Sequence, residues 1–188
     1  MESNLEDLNK LAITNGLIIG ALSSVLGVLT YYVAPSLMGS TFYGIGLMLV
    51  SLAFYIFFTL DLRKKIGGYW NFKTALKGIF LMAFTAGLVG ILFNFVFYKF
   101  IEPGAFEKIS GHISSGLTST LENLGMQQEQ IDEAVEKQLE TMKGQFDPTF
   151  TDLARNFGIA VLVEFIMSLI FAAIFKKEAP LFVQGTEE

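Results

Sequence analysis

Glu164 is the side chain whose setting most invites chemistry, because it is the one ionisable residue deep inside a long apolar stretch. It follows Arg155 by nine residues and precedes Lys176 by twelve, which on a helix sets it roughly 13 Å and 18 Å from those charges. An ionised carboxylate near the middle of a bilayer is costly, so Glu164 is expected to face other helices, to carry a proton or to line a wet cavity. Ala160, Ser168 and Ala172 share its helical stripe, which is small and polar, while Phe165 and Phe171 point elsewhere. Asn94, in the preceding apolar stretch, is the candidate partner. It lies five residues before Lys99, and side chains tilt toward a helix's N-terminus, which brings Glu164 to a similar depth. Two readings stand for Glu164, Asn94 and Ser168: a proton or ligand site, or polar packing between helices worth about 1 kcal/mol.

Other catalytic chemistry finds little material. There are no cysteines, so disulfides, thiolate metal sites and cysteine nucleophiles are excluded. His112 is the only histidine, with Glu107 and Glu122 nearby in sequence, and one histidine is a poor basis for a metal site. No glycine-rich phosphate loop, Ser-His-Asp set or spaced pair of intramembrane acids occurs. The expectation is a protein that is not an enzyme and carries no metal or cofactor. A net charge of −5 argues against a nucleic-acid partner.

The elements that must position these residues follow from composition. Of 188 residues 52% are hydrophobic and only 16% charged, and the mean hydropathy is +0.52. A soluble domain carries about 25% charged residues, so this chain is built for lipid as solvent. Four stretches are long enough to cross roughly 30 Å of hydrocarbon: about 11–34, stopped by Pro35, then 41–62, 75–100 and 157–175. The first is too long for a signal-peptide core, and its leader holds Glu2, Glu6 and Asp7 against Lys10. Arg63, Lys64, Lys65, Lys73 and Lys77 crowd the loop between the second and third spans, and Lys176 and Lys177 follow the fourth. The turn from Pro35 to Ser40 is uncharged. By the positive-inside rule the basic loop and both termini are cytoplasmic.

The segment 101–156 is then extracytoplasmic, and it is acidic. Ile109, Ile113, Leu117 and Leu121 form one apolar stripe; Ile131, Val135, Leu139, Met142 and Phe146 form another, with Glu129, Asp132, Glu133, Glu136 and Glu140 largely elsewhere on the wheel. Gly125 between them suits a helix stop. The spacing predicts an amphipathic helical hairpin resting on the membrane surface or on the bundle. The predicted fold is thus all-α, a single membrane domain over 1–188 with four transmembrane helices and this hairpin between the third and fourth.

Two further groups are structural candidates. Gly16, Gly20, Ser24 and Gly27 give the first span a face for close backbone approach, within the monomer in preference to a dimer. Tyr69 and Trp70 suit the headgroup layer, with Lys73 and Lys77 snorkelling toward anionic lipid, so these four read as an interfacial anchor.

The run Gly67-Gly68-Tyr69-Trp70-Asn71-Phe72-Lys73-Thr74-Ala75-Leu76-Lys77-Gly78, entering the third span, resembles the domain of unknown function 4199 family, and so does Gln130-Ile131-Asp132-Glu133-Ala134. The resemblance covers nearly the whole chain. It implies a four-helix protein of the inner membrane of a diderm bacterium, of a kind common in Bacteroidota, and it brings no activity or site residues. Two functions are carried forward: a non-enzymatic accessory or scaffold subunit of an inner-membrane complex, with lipid and a protein partner around it, or a small transporter or proton-coupled permease using Glu164 and Asn94.

Overall fold

The computed structural model describes residues 2–178, with side chains from Asp7 onward. Among these residues there are six α-helices: α1 (Glu2–Val33), α2 (Thr41–Lys65), α3 (Phe72–Val96), α4 (Ala105–Asn123), α5 (Gln128–Phe146) and α6 (Phe150–Phe175). Helices α1, α2, α3 and α6 each contain a stretch long and apolar enough to cross a membrane, as their sequences predict. Helix α1 starts well before the apolar stretch, because Glu and Lys are good helix formers that continue the helix beyond hydrocarbon. Residues 179–188, expected on the side of the basic loop, lie outside the described residues.

Local chemistry sets the boundaries. Pro35 pushes Ala34 to an extended φ of −145°, which ends α1 and opens a 3-10 turn over Pro35–Gly39. The Ser40 and Asn71 side chains accept from the backbone N–H of Tyr43 and Thr74 and so cap α2 and α3. Thr149 and Asp152 form a reciprocal capping box at the start of α6. Gly125, at φ +76°, closes α4: its N–H bonds to the Glu122 carbonyl and that of Met126 to Leu121. That pair of bonds is a Schellman stop, which a residue with a Cβ adopts only with strain. Helix α3 does not stop at Val96. It widens into one π turn, Phe97–Ile101, closed by the Glu102 N–H on the Phe97 carbonyl at 2.8 Å.

Helix α3 is the centre of the bundle, flanked by α1 on one side and α6 on the other, while α2 leans on α1 and touches α3 sparingly. The α1–α3 contact is close because glycine makes it so. A Cβ at Gly16 would press on the Met82 carbonyl and on Thr85, and one at Gly20 would stand 2.7 Å from Val89 Cβ. Two apolar clusters result. One joins Leu8, Leu62, Trp70, Ile79, Met82 and Phe171 at the end with the basic loop. The other gathers Tyr31, Phe97, Ala105, Ile109, Ile113 and Phe146 at the opposite end, under the α4–α5 pair. The stripes of α4 and α5 therefore rest on the bundle and on each other. Outward residues of the long helices stay bare, Phe42 at 88% and Ile174 at 66% exposure, as lipid contact requires.

Candidate functional site

The Glu164 carboxylate lies on the backbone of α3 at Gly87. A Cβ on that glycine would fall well inside van der Waals contact distance of Glu164 Oε1, so the absent side chain is what makes room for the acid. Glu164 thus faces a neighbouring helix and is half-buried. It lines a cavity of about 230 Å³ between α2, α3 and α6, whose wall includes Leu52, Tyr55, Ile79, Ala83, Met167 and Phe171. On its other side it borders an open hollow lined by Asn156, Ile159, Ala160 and Val163, which climbs α6 toward its N-terminal end. Glu164 and Val163 line both spaces.

Of its expected partners, neither binds it. Ser168 shares the cavity wall and is buried, but its hydroxyl donates to the Glu164 backbone carbonyl at 2.6 Å, one turn back. Asn94 is exposed and lines a separate hollow with Ser23, Ser24, Gly27, Gly90 and Phe93, on the side of α3 that meets α1. No hydrogen bond joins Asn94 to Glu164 among the described residues. Asn94 lies seven residues beyond Gly87, about 10 Å farther along α3 than the Glu164 contact, and on another side of the helix, because α3 serves α1 and α6 on different faces. The small face of α1 splits in a similar way. Gly16 and Gly20 pack on α3, Ser24 Oγ bonds the Gly20 carbonyl, and Gly27 has open space where a Cβ would stand.

The predicted anchor at the start of α3 needs a correction. Tyr69, Lys73 and Lys77 are exposed, but Trp70 is only 3% exposed and belongs to the core. Its indole N–H donates to the Phe175 carbonyl at 2.8 Å, and its backbone N–H and C=O pair with Lys177 as a single antiparallel bridge. Arg63 donates to the same Phe175 carbonyl at 3.1 Å. A cation at a helix C-terminus complements the free carbonyls there. Trp70 is therefore a clasp that ties the basic loop to the end of α6, and the ring that could have sat among headgroups is consumed in that contact. Tyr69 remains at the surface with Lys177 Nζ 5.1 Å above its ring.

One polar centre escaped the sequence reading. The π turn delivers Glu102 to Tyr31 and Tyr32, whose hydroxyls donate to its two oxygens at 3.0 and 2.7 Å, and Lys108 from α4 donates to Oε2 at 2.5 Å. Lys108 also lies 5.6 Å from the Tyr31 ring centre. The Lys108 ammonium first, then the Tyr32 and Tyr31 hydroxyls, hold the Glu102 carboxyl down at about 2. Lys99 and Asp147 pair across the same end of the bundle, joining α3's π turn to the end of α5. The adjacent Tyr31-Tyr32 pair was the available signal, but only tertiary structure brings Glu102 across 70 residues to meet it.

His112 sits exposed on α4, its backbone carbonyl against Gly39 of the 3-10 turn. Gly116 meets the Gly39 carbonyl as closely, so α4 is seated on that turn through glycines. No group of three or more His, Asp or Glu side chains converges as a metal site among the described residues.

No curated protein and no solved structure matches this chain. The family model described as protein of unknown function DUF4199 matches residues 14–177, so the chain belongs to the DUF4199 family.

Proposed function

We propose that the protein is a non-enzymatic accessory or scaffold subunit of a bacterial inner-membrane complex, with the basic loop in the cytoplasm and the α4–α5 pair as an extracytoplasmic docking element. The observation that supports this is the division of labour on α5. Its apolar side is taken up beneath the cap by Ile131, Leu139, Met142 and Phe146, while Glu129, Asp132, Glu133, Glu136 and Glu140 are all exposed. The cap is held to the bundle by Glu102–Lys108 and Lys99–Asp147, which would let it present that acidic side in a fixed orientation. A basic partner surface is its electrostatic complement. Purification of the full chain in mild detergent should bring down a stoichiometric membrane partner, and reversing Glu133, Glu136 and Glu140 to Lys should release it. Recovery of the protein alone, at every detergent tried, overturns the reading.

Glu164 supports a second reading, a small transporter or proton-coupled permease. The favouring observation is its position on the wall of both the α2–α3–α6 cavity and a hollow that runs along α6. Asn94, in another hollow, has no part in this version. Reconstituted vesicles should then show pH-driven flux that Glu164→Gln abolishes.

A further inference from the structure

We infer that the cavity between α2, α3 and α6 is a binding site for a small lipophilic cation, an apolar body with one ammonium seated at Glu164. The wall is apolar apart from three groups. The Ser168 hydroxyl is already committed to the Glu164 backbone carbonyl. The Tyr55 hydroxyl is neutral. The third is the Glu164 carboxylate, which accepts no hydrogen bond and forms no ion pair among the described residues. The nearest basic residue along α6, Arg155, is engaged by Asp152 at 3.1 Å. The cavity thus offers one carboxyl group and no cation, in surroundings where that group can hold a charge only beside a partner.

The geometry suits a small molecule better than a helix. Along α6 the wall runs from Val163 to Phe171, a rise of about 12 Å. A volume of about 230 Å³ exceeds the roughly 150 Å³ that holds one benzene ring, leaving space for a short alkyl amine as well. A crossing helix would need a groove of membrane length and about 10 Å width. The cavity is open past Met48, Leu52 and Met167, which are exposed, and it shares Val163 and Glu164 with the hollow that begins at Asn156. Gly87 completes the site by letting the carboxylate lie back on α3 and leave the cavity free.

The site shares Glu164 with the transport reading but concerns occupancy, and binding measured without a gradient tests one and not the other. Full-length protein in zwitterionic-lipid nanodiscs would be titrated with 4-phenylbutylamine and with its neutral analogue 4-phenylbutanol, empty nanodiscs giving the lipid partition. Saturable binding of the amine at least about tenfold tighter than the alcohol is expected, since charge-assisted hydrogen bonds are the strong ones. Glu164→Gln should erase that difference and leave alcohol binding as it was. Leu52→Trp, at a partly lipid-exposed position of the wall, should fill the cavity and weaken both. Equal affinity for the two probes, an amine affinity indifferent to Glu164→Gln, or a co-purifying transmembrane helix filling the cavity would each overturn the site.

Discussion

Gly87 and Glu164 share one volume: the carboxylate of α6 occupies the space where a side chain of α3 would stand. Gly87→Ala must therefore expel the acid or part the helices. Such overpacking costs about 1–3 kcal/mol. In a Glu164→Ala background the same change should be nearly neutral, because the space is then vacant. A double-mutant cycle by thermal unfolding in detergent checks this, and additive costs would show that the two positions do not touch.

The chain has a single tryptophan, so its fluorescence reports the clasp directly. Trp70 emission should resist quenching by aqueous iodide and by lipids brominated near the headgroup. Trp70→Phe, which removes the donor to Phe175 and shrinks the buried ring, should cost about 1–3 kcal/mol, and Trp70→Ala about 3–5 kcal/mol. An anchor in the headgroup layer would be quenched readily and would tolerate the change to Phe.

Acid should loosen the cap before it unfolds the bundle. The Glu102 carboxyl, ordinarily 4.5, lies at about 2 in the folded protein. A lowered carboxyl contributes stability that is complete above 4.5 and lost as pH falls from there toward 2. Hydrogen exchange of α4 amides should accelerate across that window, and Glu102→Gln should flatten the dependence while raising exchange at neutral pH. An unchanged profile in the variant would remove Glu102 from the cap's stability.

Orientation is open to reporter fusions. Fusions after Lys65 and after Lys177 should report cytoplasm, and one at Gln128 the opposite side. A cytoplasmic report at Gln128 would invert the protein.

What the sequence made legible was whatever depends on local chemistry. Hydropathy marked four spans, periodicity marked α4 and α5, and Gly125 marked the break between them with its positive φ. Gly16 and Gly20 were readable as a contact face because small residues have few other uses in a span. Contacts that join distant segments were not readable. Trp70 has the chemistry of an interfacial ring until Phe175 presents a free carbonyl to it, and nothing local to either residue announces the other. Asn94 misses Glu164 both in height, about 10 Å along α3 from Gly87, and in face, which depends on how α3 divides itself between α1 and α6. Glu102 gave no sign in sequence, because the π turn that aims it is a deviation from the regular helix its neighbours suggest.

The clasp at the end of α6 also sets an order of events on the ribosome. Trp70 is made 105 residues before the carbonyl that receives its indole N–H, and Lys177 comes later still. At about 5–20 residues per second, the loop waits roughly 5 to 20 s with those groups unmatched. The first three spans can insert and pair in that interval, but the end of the bundle stays open until the last helix has left the translocation machinery. A nascent chain stalled before residue 175 would hold this tryptophan in water or lipid, so closure of the loop marks the arrival of the end of α6.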